Sequence, residues 1–287
     1  MDIVSHLPAL REWRTAQTRL GRPVGFVPTM GALHEGHASL VRAAARDAAK
    51  ENGAVAVSIF VNPTQFGPNE DLSRYPRTLE ADLELCRVNG ATLVYTPDTT
   101  EIYPPGFDTW VDVGKVGTHW CGAARPGHFR GVSTVVAKLF LRVQPDQVYF
   151  GQKDAQQAAM LAKMTRELDF PIRFHVEPTV REPDGLAMSS RNRYLSPSDR
   201  AQAVGLFQAL KAGEALVRSG QSECAIIHEA MTRVLAQKAP DARLDYLGFA
   251  GLPDFEPLVQ VRFPCHLLGA IRLGNTRLID NLFLEGA

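Results

Sequence analysis

Apolar residues in the first 180 positions follow two alternating rhythms. Short segments at Val24–Val27, Ala54–Val61, Ala91–Tyr95, Gln147–Phe150 and Ile172–Val176 read as strands, and the nearly unbroken apolar run Ala54–Val61 suits one buried on both faces of a parallel sheet. Between them the apolar positions recur at helical spacing. Leu40, Val41, Ala44, Ala45 and Ala48 mark a helix over 37–51, and Val132, Val135, Val136, Leu139 and Phe140 another over 131–143. Two more are predicted over 78–89, where Gly90 is placed as the stop, and from Asp154 onward. Ahead of all of these, Leu7, Leu10, Trp13 and Leu20 form the apolar side of a helix over 1–20.

Strands and helices alternating at this length predict a mainly parallel sheet flanked by helices. Ligands of such sheets bind beyond the carboxyl ends of the strands. The polar loops 29–37, 62–69 and 151–154 each follow a predicted strand, so they should meet in one crevice. After Pro183-Asp184-Gly185 the rhythm changes. Helices at about 198–218 and 222–238 precede strands at 243–249, 257–261 and 265–273, an order that suggests a separate unit. The expected division is an α/β domain over 1–184 and a smaller C-terminal α+β domain over 185–287.

Composition narrows the classes of partner. Lys+Arg and Asp+Glu both number 31 in 287 residues, so no global basic field argues for nucleic acid. Cys86, Cys121, Cys224 and Cys265 lie far apart with no C-x-x-C spacing, which suits free thiols in a reducing compartment. Arg11, Glu12 and Arg14 fall where a signal peptide would need an apolar core, and the run at Ala54–Val61 is far too short to span a bilayer. A cytoplasmic location without membrane or nucleic-acid partners is expected.

Candidate chemistry is densest at Pro28-Thr29-Met30-Gly31-Ala32-Leu33-His34-Glu35-Gly36-His37, a strand, a tight turn and a helix start. Free N–H groups at a helix N-terminus attract anions, and imidazole adds a donor or a base. A zinc protease site would place two residues between the glutamate and the second histidine. Here there is one, so Glu35 is misplaced for a general base. The plainer alternative is that both histidines only cap or pack the turn. Gly151-Gln152-Lys153-Asp154 puts a compact cation and a hard oxygen ligand at another strand-to-helix junction. Met188-Ser189-Ser190-Arg191-Asn192 combines hydroxyls with a guanidinium, a set that can clamp a polyphosphate. Arg125-Pro126-Gly127-His128-Phe129-Arg130 supplies a further group of cations before a helix.

Taken together, these segments resemble the pantoate–β-alanine ligase family of coenzyme A biosynthesis. The resemblance runs nearly end to end, and includes Phe60-Val61-Asn62-Pro63-Thr64-Gln65-Phe66, Tyr75-Pro76-Arg77-Thr78 and Gln156-Gln157 as well as the stretches above. The His-x-Gly-His and Met-Ser-Ser-Arg pieces alone would indicate only the wider nucleotidyl-transferase superfamily. The family resemblance implies a Rossmann-like parallel-sheet domain, a homodimer, and the substrates ATP, (R)-pantoate and β-alanine with Mg2+. By motif position, His34, His37 and Lys153 would be catalytic. ATP would contact Met30, Gly31, Ala32, Leu33, His34, Glu35, Gly36 and His37, then Gly151, Gln152, Lys153 and Asp154, and finally Val180, Met188, Ser189, Ser190 and Arg191. Gln65, Gln157 and Asn62 would hold the organic substrates, and Asp82 would be a magnesium-side carboxylate. The chain departs from the family pattern at Gln152, commonly Glu, and at Ala155, commonly aromatic. Another adenylating enzyme with the same ATP site would differ at Gln65 and Gln157. An RNA-binding relative would need a basic extension that this composition lacks.

Overall fold

Two separate sheets organise the chain. The computed structural model describes residues 1–68 and 70–286. Asn69, the end of the loop read at 62–69, and Ala287 lie outside the described residues. In the first half, β1 (Asp2–Val4), α1 (Leu7–Arg19), β2 (Val24–Thr29), α2 (Glu35–Lys50), β3 (Ala54–Ile59), α3 (Leu79–Val88) and β4 (Leu93–Tyr95) come in turn. Two single-turn helices, α4 (Thr99–Ile102) and α5 (Cys121–Ala124), lead to α6 (His128–Val143), β5 (Gln147–Gly151), α7 (Ala155–Glu167) and β6 (Arg173–Glu177).

These six strands pair in the order β1-β4-β3-β2-β5-β6, and every pairing is parallel. From β2 the chain builds outward through β3 and β4, and then returns to add β5 and β6 on the other side. The switch between β2 and β5 opens a crevice at the carboxyl ends of those two strands. Alternate strand residues feed two cores. Phe26, Ala56 and Val148 pack with Leu10, Phe140 and Leu161, whereas Val27, Val57 and Tyr149 pack with Val41, Ala44 and Cys86. Helices therefore cover both faces, as the unbroken apolar runs require.

The second half comprises α8 (Pro197–Ala203), α9 (Gly205–Arg218), α10 (Cys224–Lys238), β7 (Arg243–Gly251), β8 (Glu256–Pro257), β9 (Cys265–Leu273) and β10 (Thr276–Leu284). Its strands pair antiparallel in the order β10-β9-β7-β8, with α9 and α10 packed against the sheet through Leu206, Leu210, Ile227 and Met231. The two halves also touch: Phe255 and Leu268 join the core of the parallel sheet, and Trp120 Nε1 donates to the Phe255 carbonyl at 2.8 Å.

Several expectations are corrected. Residues 2–4 form an edge strand on β4, not helix, and Leu20 is exposed instead of buried. The strand expected at 257–261 shrinks to Glu256–Pro257, and the helix over 198–218 is two helices meeting at Val204. β10 was not anticipated. Its buried Thr276, Asp280 and Asn281 interrupt the apolar pattern by which a strand is recognised.

Candidate active site

The turn between β2 and α2 is anchored from beneath by Asp82. This carboxylate is 2% exposed and accepts from the backbone N–H of Ala32 at 2.9 Å and of Leu33 at 2.8 Å, and from the Thr78 hydroxyl at 3.1 Å. Asp82 was expected as a magnesium-side carboxylate; the role seen in the structure is to hold the turn. Both oxygens are engaged in holding the turn at Ala32, whose φ of 51° needs such support.

His34 is the N-cap of α2. Its Nδ1 accepts from the Gly36 N–H at 3.1 Å, and His37 Nδ1 faces the His34 N–H at 3.4 Å. A Cβ on residue 36 would lie 2.9 Å from the His34 ring, so only glycine lets the ring fold over the helix start. The two rings sit 4.2 Å apart between centroids. Burial and the nearby Lys153 cation push His34 down to about 4. Burial, His34 and Lys153 push His37 down to about 3. Both are therefore neutral near pH 7, and because each Nδ1 accepts, the proton of each must reside on Nε2. The capping alternative is thus correct as far as it goes, yet it leaves two Nε2–H donors for a ligand.

After β3, the loop 62–65 folds around Asn62, which is 1% exposed. Its Oδ1 accepts from Tyr103 OH at 2.8 Å and Thr64 Oγ1 at 3.0 Å. Its Nδ2 donates to the Gly131 carbonyl at 3.2 Å and to Gln65 Oε1 at 3.1 Å. Asn62, expected at a substrate contact, is thus a loop organiser whose side-chain polar atoms all face protein groups. Gln65 is buried, and its Nε2 lies 3.0 Å from the Met30 sulfur, bringing the β2 and β3 loops together. Arg125 is turned inward too. It pairs with both oxygens of Glu70 and reaches His128 Nε2 at 2.9 Å and the Gln65 carbonyl at 3.2 Å. Burial opposes the Glu70 charge, but the Arg125 hydrogen bonds win and hold its carboxyl at about 2. Burial and Arg125 lower His128 to about 4. Arg130 lies over the Trp110 ring at 4.6 Å, away from this cluster.

At the end of β5, residues Gln152–Asp154 form a single 3-10 turn before α7. Lys153 Nζ lies 3.9 Å from Asp154 Oδ1, and both side chains line the cleft. The turn is held from the second sheet by Asn281, which donates to the carbonyls of Gln152 at 2.8 Å and Lys153 at 3.0 Å. No motif pointed to Asn281; the only sequence signal was a polar residue in an apolar C-terminal run. Gln152 therefore meets its neighbours here through its backbone, which any residue at this position supplies. Ala155 is buried at the start of α7. The adjacent glutamines both line the cleft, but the Gln156 amide is engaged with Val116, His119 and Cys121 backbone groups.

The Met188-Ser189-Ser190-Arg191 segment faces these loops. Met188 donates its N–H to the Val180 carbonyl at 3.0 Å and packs beside Gly36. Ser189 Oγ accepts from the Arg191 N–H at 3.2 Å, and Ser190 Oγ lies 3.5 Å from Tyr75 OH. Arg191 makes a two-point pair with Asp71 at 2.9 and 3.0 Å. A cavity of about 1050 Å3 joins Lys153, Asp154, Gln157, Ser189 and Arg191 to a wall from the second sheet that includes Arg272, Arg277 and Asp280. Met30, His34, His37 and Gln65 are not in its lining; the two histidines adjoin it electrostatically through Lys153. Cations, neutral N–H donors and a helix N-terminus grouped in this way can stabilise negative charge developing on a phosphorus.

Comparison with known proteins gives one consistent result. The family model for pantoate-beta-alanine ligase matches residues 2–283. A pantothenate synthetase of Moorella thermoacetica is 48% identical over 285 residues, covering 99% of each chain. One of Roseiflexus sp. is 50% identical over 279 residues, covering 97% of this chain and 99% of the relative. The solved pantothenate synthetase of Thermus thermophilus superposes with a TM-score of 0.91 at 46% identity over the whole of both chains. The pantoate-beta-alanine ligase of Francisella tularensis, solved with Beta-gamma ATP and Beta-alanine, gives 0.79 at 31% identity, covering 99% of this chain and 97% of that one.

Proposed function

This chain belongs to the pantoate–β-alanine ligase family and is a ligase, and on that premise we propose that it joins (R)-pantoate to β-alanine through a pantoyl adenylate. A free carboxylate is a poor acyl donor. Attack of the pantoate carboxylate on the α-phosphorus of Mg·ATP forms the acyl–phosphate bond and expels pyrophosphate. Attack of the β-alanine amine on the acyl carbon then forms the amide and expels AMP. The observation that supports this most is the grouping, at the β2/β5 switch, of Lys153 with two histidines held neutral, whose Nε2–H donors have no protein partner among the described residues. Fixed donors and a cation stabilise charge growing on the phosphoryl oxygens without requiring a protein nucleophile.

In this reading Lys153 neutralises the α-phosphate, and His34 and His37 donate to phosphate oxygens. The turn at 151–154 holds the nucleoside, with Asp154 on the ribose. Val180 and the segment 188–191 take the remaining nucleotide contacts, Arg191 among them if it exchanges Asp71 for phosphate. Gln65 and Gln157 hold pantoate. Magnesium arrives as the Mg·ATP substrate, since such ions keep their waters and rely on phosphates plus one or two carboxylates; Asp154 is one carboxylate on the cleft, beside Lys153. A homodimer in the cytoplasm completes the proposal, in keeping with four unpaired, buried cysteines.

The two half-reactions give the test. The protein should exchange labelled pyrophosphate into ATP when pantoate is present and β-alanine is absent. Adding β-alanine should release AMP in equal amount to the amide. ADP as the stoichiometric product would mean attack at the γ-phosphorus and would refute the mechanism. Folded, magnesium-replete protein without pantoate-dependent exchange would refute the assignment.

A further inference from the structure

Asn62 sits where a substrate contact was expected, yet every polar atom of its side chain faces protein. Its orientation is fixed by groups that allow no alternative. The Gly131 carbonyl can only accept, so the Asn62 nitrogen must lie on that side, 3.2 Å away. The Thr64 N–H can only donate, and at 3.4 Å it faces Oδ1, where the Thr64 and Tyr103 hydroxyls also converge. The approach is close because residue 131 is glycine: a Cβ there would lie 2.4 Å from the Thr64 carbonyl.

This orientation dictates the next one. The Asn62 nitrogen points at Gln65 across 3.1 Å, so Gln65 must present its oxygen to Asn62 and its nitrogen to the opposite side. There Nε2 meets the Met30 sulfur, a weak acceptor that engages one N–H and leaves the second without a protein partner among the described residues. The Gln65 backbone is clamped as firmly, its carbonyl accepting from His128 Nδ1 at 2.8 Å and from Arg125 at 3.2 Å.

We infer that Asn62 and Tyr103 are positioning residues that lock Gln65 with its amide nitrogen toward the acid, so that Gln65 recognises an oxygen acceptor and not a donor. The inference rests on the proposed role of Gln65 and deepens it by assigning the polarity of the contact. Asn62→Asp tests it at nearly constant shape. A carboxylate at position 62 cannot donate to Gln65 Oε1, so the Gln65 amide turns over to donate inward and shows its oxygen to an anionic substrate.

The measurement is pantoate-dependent pyrophosphate–ATP exchange, with thermal melts of each variant as a folding control. Asn62→Asp should raise the KM for pantoate about ten-fold or more, as expected when a buried polar group loses its match, and leave the KM for ATP within about two-fold. Tyr103→Phe should raise the pantoate KM less and add nothing in the Asn62→Asp background, because it acts through the same amide. A pantoate KM unchanged in Asn62→Asp, or KM values for ATP and pantoate rising together, would overturn the inference. If Asn62→Asp does not fold, Tyr103→Phe decides alone: about a three-fold rise in pantoate KM supports the inference and no change overturns it. Absence of exchange in the parent protein would instead strike the proposed function, and this inference with it.

Discussion

His34 and His37 each give one ring nitrogen to the start of α2 and leave the other without a protein partner among the described residues. Their role as neutral donors has a direct kinetic consequence. With His34 at about 4 and His37 at about 3, neither ring gains a proton as pH falls from 7 to 5.5. Pantoate-dependent pyrophosphate exchange involves no amine substrate, so its rate should stay level across that range at saturating ATP and pantoate. An acid limb centred near 6.5, the value of an unperturbed imidazole, would show that a protonated histidine abolishes activity and that the rings are less shielded than described. The identity of these residues was legible in the sequence because spacing and glycines mark a strand, a turn and a helix start. The tasks of Asp82 and Asn62 were not. A carboxylate or an amide at a given position does not disclose whether its atoms serve a ligand or backbone groups brought in from a distant part of the chain.

At the scale of elements, five of the six parallel strands could be read because each is a short, largely apolar run between turn residues, whereas the exposed edge strand β1 was taken into the first helix. The C-terminal strand β10 escaped that reading. Its polar residues are buried by partners distant in sequence: Asp280 by Arg181 at 2.6 and 2.8 Å, and Asn281 by His266 and by the Lys153 turn. The same contacts that hid β10 make it part of the site. Asn281 joins two consecutive carbonyls of the turn that carries Lys153, so the second sheet sets where that cation stands. Asn281→Ala leaves both carbonyls without this donor and frees the turn. We expect kcat for adenylation to fall about ten- to a hundred-fold, the effect of a misplaced group in a preorganised site. Aminolysis of supplied pantoyl adenylate should fall less. A general loss of folding would depress both half-reactions alike and lower the melting temperature, and equal depression of the two would remove Asn281 from the positioning of Lys153.

Across the whole molecule, polar groups have been drawn into both halves, and this sets how the fold answers to acid. His34, His37 and His128 belong to the parallel-sheet half and His266 to the antiparallel one. Burial is the first cause of a lowered value in all four, His128 and His266 each standing at about 4. Unfolding exposes these rings and returns them to about 6.5. Below pH 6.5 the unfolded chain therefore binds protons that the folded chain refuses, and stability must fall as pH falls, until the folded-state values near 4 and 3 are reached. Each such ring contributes a slope of about 1.4 kcal/mol per pH unit inside that window. Four together approach the whole stability of an ordinary domain within about two pH units. Glu70 extends the same trend to lower pH, since its carboxylate, held at about 2, loses its contribution as pH falls from the ordinary carboxylate range toward 2. Denaturant unfolding between pH 7.5 and 4.5 should thus show a nearly level stability above pH 7 and a steep decline below 6.5. His266 donates to Asn281 through Nδ1, so His266→Gln, which can keep an amide donor there, should lower the steepness by about a quarter. A decline that begins only below pH 4.5, or one that His266→Gln leaves equally steep, would show that these histidines do not govern the acid limit of the fold.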